Sequence, residues 1–377
     1  MKKLTKLDKP LLIIMFAFMI FGLIMVLSSS SMASYMRYHN SIYFYLIRQG
    51  IFMTAGMIAF VIAIYLPTKV FKNLSPFLIF LLIASLFGLI VYGSVFNASK
   101  GWYDLKFFTI QPSEIGKIII ILYLAYYYNK HKDNLDNQWT LLKPLILMII
   151  IFVLIALQPD LGTGCVVAGI VIMIFYALPL KKSTRTPINR IFVGGIVLVV
   201  LALILTGGSF LRDYQLKRFQ FLDPCERYEE ETGYQLCNSL IAFNNGGLTG
   251  KGIGESTQKY LYLPESHTDF IFPITVEEWG FLVGLLIIIL YMIMLYRILN
   301  IAKKATNLGN SIIAYGVFAY ILLHITINLV GVMGIGPLTG VPLPFMSYGG
   351  SFTLTLLFSM GLVQRVHYET YKKDKKK

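Results

Sequence analysis

Long apolar segments alternate with short polar connections along almost the whole chain. Hydropathy places ten such segments near residues 10–30, 46–66, 74–95, 112–128, 142–157, 162–179, 191–206, 270–296, 311–335 and 351–365. Most are close to the roughly 20 residues that a membrane-spanning helix needs. The pattern therefore predicts an all-α polytopic membrane protein with about ten transmembrane helices, built as one membrane domain over residues 1–377.

Only one predicted connection is long, and it lies between the seventh and eighth helices at residues 207–268. Its stretch YQLCNSLIAF predicts a short amphipathic helix on the membrane surface. The glycine-rich stretch NNGGLTGKGIG follows, but it contains neither GxxxxGK[ST] nor GxGxxG. We therefore interpret it as a flexible connector and not as a phosphate-binding loop.

Composition and charge agree with a membrane location. Hydrophobic residues make up 56% of the chain, charged residues 14%, and the mean hydropathy is +0.68. The net charge of +14 lies mainly at the N-terminus, in alternate connections and in the C-terminal KKDKKK. This is the positive-inside pattern, so it predicts cytoplasmic termini and an extracellular 207–268 loop. We interpret the charge as a topology signal, with no nucleic acid as a partner.

The chain has three cysteines, and two of them fall in the predicted outer loop. Cys225 and Cys237 are predicted to form a disulfide, because such bonds persist outside the cell. Two free thiols on a mobile loop are the alternative. Cys165 lies inside a predicted span as a packing residue, and no Cys/His spacing indicates a zinc site.

Two predicted outer segments, FFTIQPSEIGK and ALQPDLGTG, carry Gln-Pro followed by an acid. Proline and an acid both suit the first turn of a helix, so each segment can simply start one. Glu114 and Lys117 are three residues apart and share a helix face at the outer interface, where ionisable groups are costly. The spacing alone fits a structural ion pair and a substrate groove equally well.

The last outer connection, GPLTGVPLPFMSYGGS, contains too many prolines and glycines for a helix. We predict a rigid re-entrant turn beside a cavity that opens outward, because such backbone needs protein or water around it. The unusual polar residues gather on this outer side, whereas a proton-coupled transporter would more often place ionisable groups at the bilayer midplane. His324, inside a predicted span, is interpreted as a hydrogen-bonding residue between helices.

Asp269 stands in YLPESHTDFIF, directly before the eighth apolar segment. Sugar transfer from a polyprenyl diphosphate needs a base for the acceptor hydroxyl, positive charge for the leaving diphosphate and an apolar groove. Asp269 is the candidate base. Positive charge can come from Lys117 and from basic residues of the long loop: Arg212, Lys217, Arg218, Lys251 and Lys259.

The helix after Asp269 is predicted to begin at Pro273, which suits a first helical position. HTDFIF would then be extended, with the carboxylate turned inward and with His267 on the other side. In the alternative interpretation, Asp269 merely caps the helix.

Four stretches resemble the SEDS family (shape, elongation, division and sporulation), which includes FtsW, RodA and SpoVE proteins. They are GWYDLKFFTIQPSEIGK, QPDLGTG, YLPESHTDFIF with the later EEWGF, and GPLTGVPLPFMSYGGS. They follow the family's order over nearly the whole chain. DKPLL, YFYLIRQ and STQKYLYLPESHTDF favour the division branch, FtsW, whereas EEWGF is closer to the elongation branch, RodA.

The resemblance implies a peptidoglycan glycosyltransferase that polymerises lipid II at the outer face of the membrane. It assigns the essential aspartate to Asp269. Together with the acids of EEWGF, it gives a set of candidate substrate-binding residues: Trp102, Glu114, Lys117, Asp160, Glu277 and Glu278. One departure is Gly101, where the family commonly has a basic residue, with Lys100 one position further back.

The implied partners are lipid II, the undecaprenyl-diphosphate-linked glycan, a class B penicillin-binding protein and other membrane proteins of division or elongation. No cofactor is expected beyond a divalent cation that accompanies the substrate diphosphate. A lipid II flippase and a non-catalytic scaffold are the alternatives. The clustering of acids at one face favours the enzyme, because a flippase needs ionisable groups along a full transmembrane path.

Overall fold

Where the structure describes the chain, the fold is a bundle of long helices with one small sheet at its edge. A computed structural model describes residues 6–38, 41–96, 99–105, 108–186, 189–190, 220–260 and 262–374. Its main helices are α1 Lys9–Tyr38, α2 Phe44–Tyr65, α3 Thr68–Tyr92, α4 Pro112–Lys130, α5 Gln138–Ala156, α6 Leu161–Ala177, α7 Glu231–Gly246, α8 Ile271–Lys304, α9 Leu308–Val332 and α10 Gly350–Asp374. Two short 3₁₀ turns lie at Lys132–Asn134 and Pro224–Arg227.

Six of the described helices are long and apolar enough to cross a membrane: α1, α2, α3, α5, α8 and α9. Helix α6 is apolar but shorter. Helices α4 and α10 carry more charge and lie largely buried, with α4 against α3 and α9 and with α10 along α2. The chain is thus a multi-pass helical membrane protein, and its more polar helices are sheltered by apolar ones. The predicted span near 191–206 lies outside the described residues.

The prediction of a purely helical protein is wrong for one segment. Strands β1 Ser94–Phe96, β2 Ser99–Asp104 and β3 Thr109–Ile110 form an antiparallel sheet in the order β1-β2-β3. Ser94 lies opposite Trp102, and Tyr103 lies opposite Ile110. Aromatic and β-branched residues favour strands, but six residues or fewer are too short to register in a hydropathy scan.

Residues 333–349 connect α9 to α10 without a helix, in agreement with the proline and glycine content. We call this segment the re-entrant loop. Much of it is buried, and Tyr291 Oη donates a 2.5 Å hydrogen bond to its Pro344 carbonyl. A Cβ atom at Gly162, at the start of α6, would lie 2.5 Å from the Thr339 carbonyl oxygen. The loop is therefore enclosed by helices that satisfy its carbonyls, as backbone at membrane depth requires.

Candidate active site

Asp269 is half-buried in a run of turns, residues 264–270, directly before α8. The side-chain amide of Asn328 on α9 donates two 2.8 Å hydrogen bonds, one to the Asp269 carbonyl and one to the Val341 carbonyl. Gly340 of the re-entrant loop has φ +70°, and a Cβ atom there would lie 3.2 Å from Asp269 Oδ2. The carboxylate therefore faces the re-entrant loop, and Asn328 holds the two segments together.

The residues on either side of Asp269 bind the same loop. Ser347 Oγ donates to the Thr268 carbonyl at 2.6 Å, and the Tyr348 amide donates to the His267 carbonyl at 2.9 Å. The His267 ring packs against Tyr45 in a tilted arrangement, with 4.3 Å between ring centroids. Burial among these rings lowers the pKa of His267 to about 4. His267 is therefore a neutral packing residue.

The predicted local geometry around Asp269 is wrong in two respects. HTDFIF is not extended, because α8 already begins at Ile271 and Pro273 is its third residue. Proline is tolerated there because the first N–H groups of a helix have no intrahelical acceptor. The N-cap is Phe270, so Asp269 lies one residue before the capping position.

Glu114 and Lys117 form a buried ion pair that extends to a third residue. Lys117 Nζ lies 2.6 Å from Glu114 Oε1 and 2.9 Å from His324 Nε2. His324 Nδ1 lies 3.1 Å from the Pro342 carbonyl. Because that carbonyl can only accept, the proton belongs on Nδ1, and Nε2 accepts from the lysine. The network links α4, α9 and the re-entrant loop, two residues from Gly340.

Asp160 is the N-cap of α6 and accepts a 3.0 Å hydrogen bond from the Thr163 amide through Oδ1. Its Oδ2 accepts from Gln111 Nε2 at 2.8 Å. Gln111 in turn is the N-cap residue of α4, and its backbone N–H donates to Ser351 Oγ on α10. The QPSE and QPD segments are thus helix starts, and a direct hydrogen bond joins them.

Trp102 is half-buried in β2. Two residues earlier, Lys100 Nζ donates to the Ile90 carbonyl at 2.8 Å. A cation at the carboxyl end of α3 is favourable, so Lys100 fastens the sheet to that helix.

Glu277 and Glu278 are fully buried in the first turns of α8, where they hold the segment before Asp269. Lys251 Nζ lies 3.3 Å from Glu277 Oε1, and Lys259 Nζ lies 2.9 Å from Glu278 Oε1. Glu277 also accepts from a set of loop donors: Asn245, Ser256, Thr257 and Gln258. The two lysines thus neutralise glutamates here, and their proposed contact with a diphosphate has no support in this arrangement.

The stretch NNGGLTGKGIG is not a loose connector. The Lys251 and Gly252 amides donate to the carbonyls of Glu277 and Glu278, at 2.9 and 3.0 Å. Gly280 interrupts α8 with φ +85°, and this break lets the loop backbone approach closely.

Sequence reasoning missed Asn328 and Gly340, because neither an amide in a span nor a glycine in a loop signals its partner. Arg212, Lys217 and Arg218 lie outside the described residues. Over the described ranges, no group of three or more His, Cys, Asp or Glu side chains could hold a metal ion.

This geometry defines the class of protein: a helical membrane protein in which a carboxylate lies between a re-entrant loop and the start of a helix. The family model described as "Cell cycle protein", covering FtsW, RodA and SpoVE, matches residues 9–372. The chain belongs to this family.

The sequence similarity to known relatives extends over nearly the full length of the chain. The chain is 36% identical to "Probable peptidoglycan glycosyltransferase FtsW" of Bacillus subtilis over 363 residues, which cover 95% of this chain and 90% of that protein. It is 34% identical to "Stage V sporulation protein E" of the same organism, over 98% of this chain and 99% of that one.

Solved structures share the fold. One chain is described under "Structural coordination of polymerization and crosslinking by a peptidoglycan synthase complex". It has a TM-score of 0.77 at 24% identity, over 97% of this chain and 99% of that chain. RodA of Thermus thermophilus has a TM-score of 0.67 at 23% identity, over 97% of this chain and 98% of that chain.

Proposed function

We propose that this protein is a peptidoglycan glycosyltransferase that polymerises lipid II at the outer face of the bacterial cytoplasmic membrane. The observation that carries the proposal is the half-buried Asp269, whose carboxylate lies beside Gly340 and whose backbone carbonyl accepts a hydrogen bond from Asn328. The FtsW relatives, which carry the name of this activity, support it. They also favour the division branch over elongation.

In the proposed reaction, Asp269 is the general base. It takes the proton from the 4-hydroxyl of the acceptor GlcNAc as that oxygen attacks the anomeric carbon of the donor sugar. The bond from that carbon to the diphosphate oxygen breaks, and undecaprenyl diphosphate leaves. A single displacement inverts the anomeric carbon. Base catalysis of this kind contributes typically 10²–10⁴ in rate.

The other predicted site residues fall into two groups, half-buried and fully buried. Trp102 and Asp160 are half-buried and remain candidates for direct substrate contact. Glu114, Lys117, Glu277 and Glu278 are buried, which supports a role in shaping the site. A divalent cation would arrive with the substrate diphosphate and take most of its ligands from phosphate oxygens and water.

The proposal includes ten transmembrane helices in one domain, cytoplasmic termini and a large extracellular loop between the seventh and eighth. The charge distribution supports this topology. The partners are a class B penicillin-binding protein and other membrane proteins of division. The fold shared with a chain of a peptidoglycan synthase complex supports such a partner.

Polymerisation of purified lipid II in detergent by Asp269→Asn protein tests the proposal. Asn is close to isosteric with Asp but cannot take the proton, so polymer should fall by at least about 10². Asp104→Asn, an exposed acid of β2 with the same chemical change, is the matched control and should retain activity. A folded, partner-bound Asp269→Asn protein that polymerises at the wild-type rate would disprove the base assignment. Absence of polymer from wild-type protein with its partner would favour a flippase or a scaffold.

A further inference from the structure

A cavity of about 560 Å³ lies at the opposite end of the bundle from Asp269. Helices α3 and α9 begin at this cavity and α4 ends there; its lining includes Lys69, Lys72, Lys130, Asn129 and Asn307. Lys130 is 16 residues along α4 from Glu114, roughly 24 Å at the rise of an α-helix. The cavity is therefore separate from the candidate active site.

The cavity presents positive charge to its interior. Lys69 and Lys130 are exposed, whereas Lys72 is only 8% exposed and donates to Asn310 Oδ1 at 3.0 Å. Across the described residues, none of these three ammonium groups forms a salt bridge. Positive charge at the amino ends of α3 and α9 adds to the lysines, because helix amino ends favour anions.

One acid also lines the cavity, but its lone pairs are already engaged. Glu369 accepts from Thr68 through both the backbone amide and the hydroxyl, at 3.0 and 2.7 Å. It accepts from Asn310 Nδ2 at 2.8 Å, and Arg365 Nε lies 2.8 Å from its Oε1. Arg365 shares this carboxylate from outside the cavity lining, and the two exposed lysines, Lys69 and Lys130, leave the cavity positive.

The lip of the cavity continues into an apolar surface. Asn73 lines the cavity, and Phe77 and Phe80 follow on the same side of α3, one and two turns further along. Both phenylalanines are more than half exposed. In a membrane this surface faces hydrocarbon, so a headgroup in the cavity would place its acyl chains along α3.

We propose that this cavity binds a phosphate-bearing anion, with the headgroup of an anionic membrane lipid as its source. Basic pockets between transmembrane helices on the cytoplasmic side bind such headgroups in other membrane proteins. The positive-inside topology places this end of the bundle in the cytoplasm, where the anionic leaflet supplies the ligand. The site is independent of the glycosyltransferase reaction.

Native mass spectrometry of the full-length protein in detergent tests the proposal, with phosphatidylglycerol and phosphatidylcholine as the two probes. Wild-type protein should retain phosphatidylglycerol preferentially. Lys69→Gln with Lys130→Gln should weaken this binding by at least about tenfold. Both residues are exposed, so folding should be unaffected; adding Lys72→Gln should weaken binding further.

The matched controls carry the same charge changes outside the cavity at the same end: Lys143→Gln with Lys303→Gln for the double variant, and these two with Lys132→Gln for the triple variant. Each should bind phosphatidylglycerol as the wild type does. Equal loss in the control, or retention in the cavity variant, would overturn the proposal. A second arm adds inorganic phosphate in excess. Suppose that phosphate displaces bound lipid from the wild type but not from the cavity variant, and that the wild type does not prefer phosphatidylglycerol to phosphatidylcholine. This result supports the anion site with free phosphate as the source.

Discussion

A double-mutant cycle on Glu114 and Lys117 measures the energy of the buried network. Glu114→Gln removes the carboxylate charge and leaves the Lys117 ammonium, which is 1% exposed, without a counter-charge. Lys117→Met fills a similar volume but leaves the Glu114 carboxylate, which is 3% exposed, equally unpaired. The double variant removes both charges together.

The burial of both groups sets the expected magnitude. Removing one partner of a buried ion pair costs about 3–5 kcal/mol, whereas removing both often costs little. The double variant should therefore be more stable than the sum of the single losses predicts, by several kcal/mol, because the two losses of about 3–5 kcal/mol are not incurred when both charges are removed together. At ~2 °C per kcal/mol, each single substitution should lower Tm by roughly 6–10 °C.

Thermal unfolding of purified protein in detergent gives these Tm values, and an exposed pair serves as the control. Lys181 Nζ lies 2.6 Å from Asp136 Oδ2, the same separation as in the buried pair, with side chains 74% and 49% exposed. The cycle of Lys181→Met and Asp136→Asn should give a coupling of only about 0–1 kcal/mol. Equal couplings for the two pairs would refute the argument from burial.

Polymerase activity separates a structural role from a functional one. The network ends at Pro342, two residues from Gly340, so each single variant should also lose polymerase activity below its Tm. If the double variant recovers both Tm and activity, the charges only support the fold. If it recovers Tm alone, the charged network also positions the site.

Three further predictions concern the re-entrant loop, the long loop and pH. Gly340→Ala should lower polymer yield on gels, because φ +70° is strained for alanine and the methyl group would crowd the Asp269 carboxylate. Gly247→Ala is the control for backbone strain alone, because Gly247 has φ +49° and a Cβ atom there would meet nothing within 4 Å. The Cys225–Cys237 bond should appear as one linked peptide in mass spectrometry after non-reducing digestion, and its loss should cost roughly 3 kcal/mol; two free thiols would contradict it. The pKa of His267 is about 4 in the folded protein and roughly 6.5 in the unfolded chain, so the folded state disfavours its protonation. The free energy of unfolding should therefore keep the His267 contribution above pH ~6.5 and lose up to ~3 kcal/mol as the pH falls towards 4. Tm measured over that range should fall less in His267→Phe than in wild type, and identical slopes would contradict the assignment.

Hydropathy located the helix centres but not their polar ends. The predicted 46–66 segment appears as Phe44–Tyr65, so the prediction is within two residues at each end. By contrast, the segment predicted to end at 365 continues to Asp374. Arg365 and Glu369 are four residues apart on one face and interact at 2.8 Å, so the helix extends through polar residues that a membrane scale cannot follow.

The partners within the site were harder to predict, because periodicity gives a residue's face but not its neighbour. Glu114 and Lys117 could be paired from their spacing, whereas His324, 207 positions away from Lys117, could not. Glu277 and Glu278 looked like substrate ligands because they are acids near an outer face. The break at Gly280 brings the long loop close enough to saturate Glu277 with hydrogen bonds, an arrangement that sequence position alone does not indicate.

The position of Asp269 follows from tertiary contacts and not from the helix that it precedes. A helix start would fix a carboxylate through its own capping bonds, but the capping position here is Phe270. Instead, Asn328 uses both hydrogens of one amide on two chain segments, and Ser347 binds the adjacent Thr268 carbonyl. The re-entrant loop therefore holds the segment that carries the carboxylate, so packing of the loop against α9 should govern the activity that we assign to Asp269.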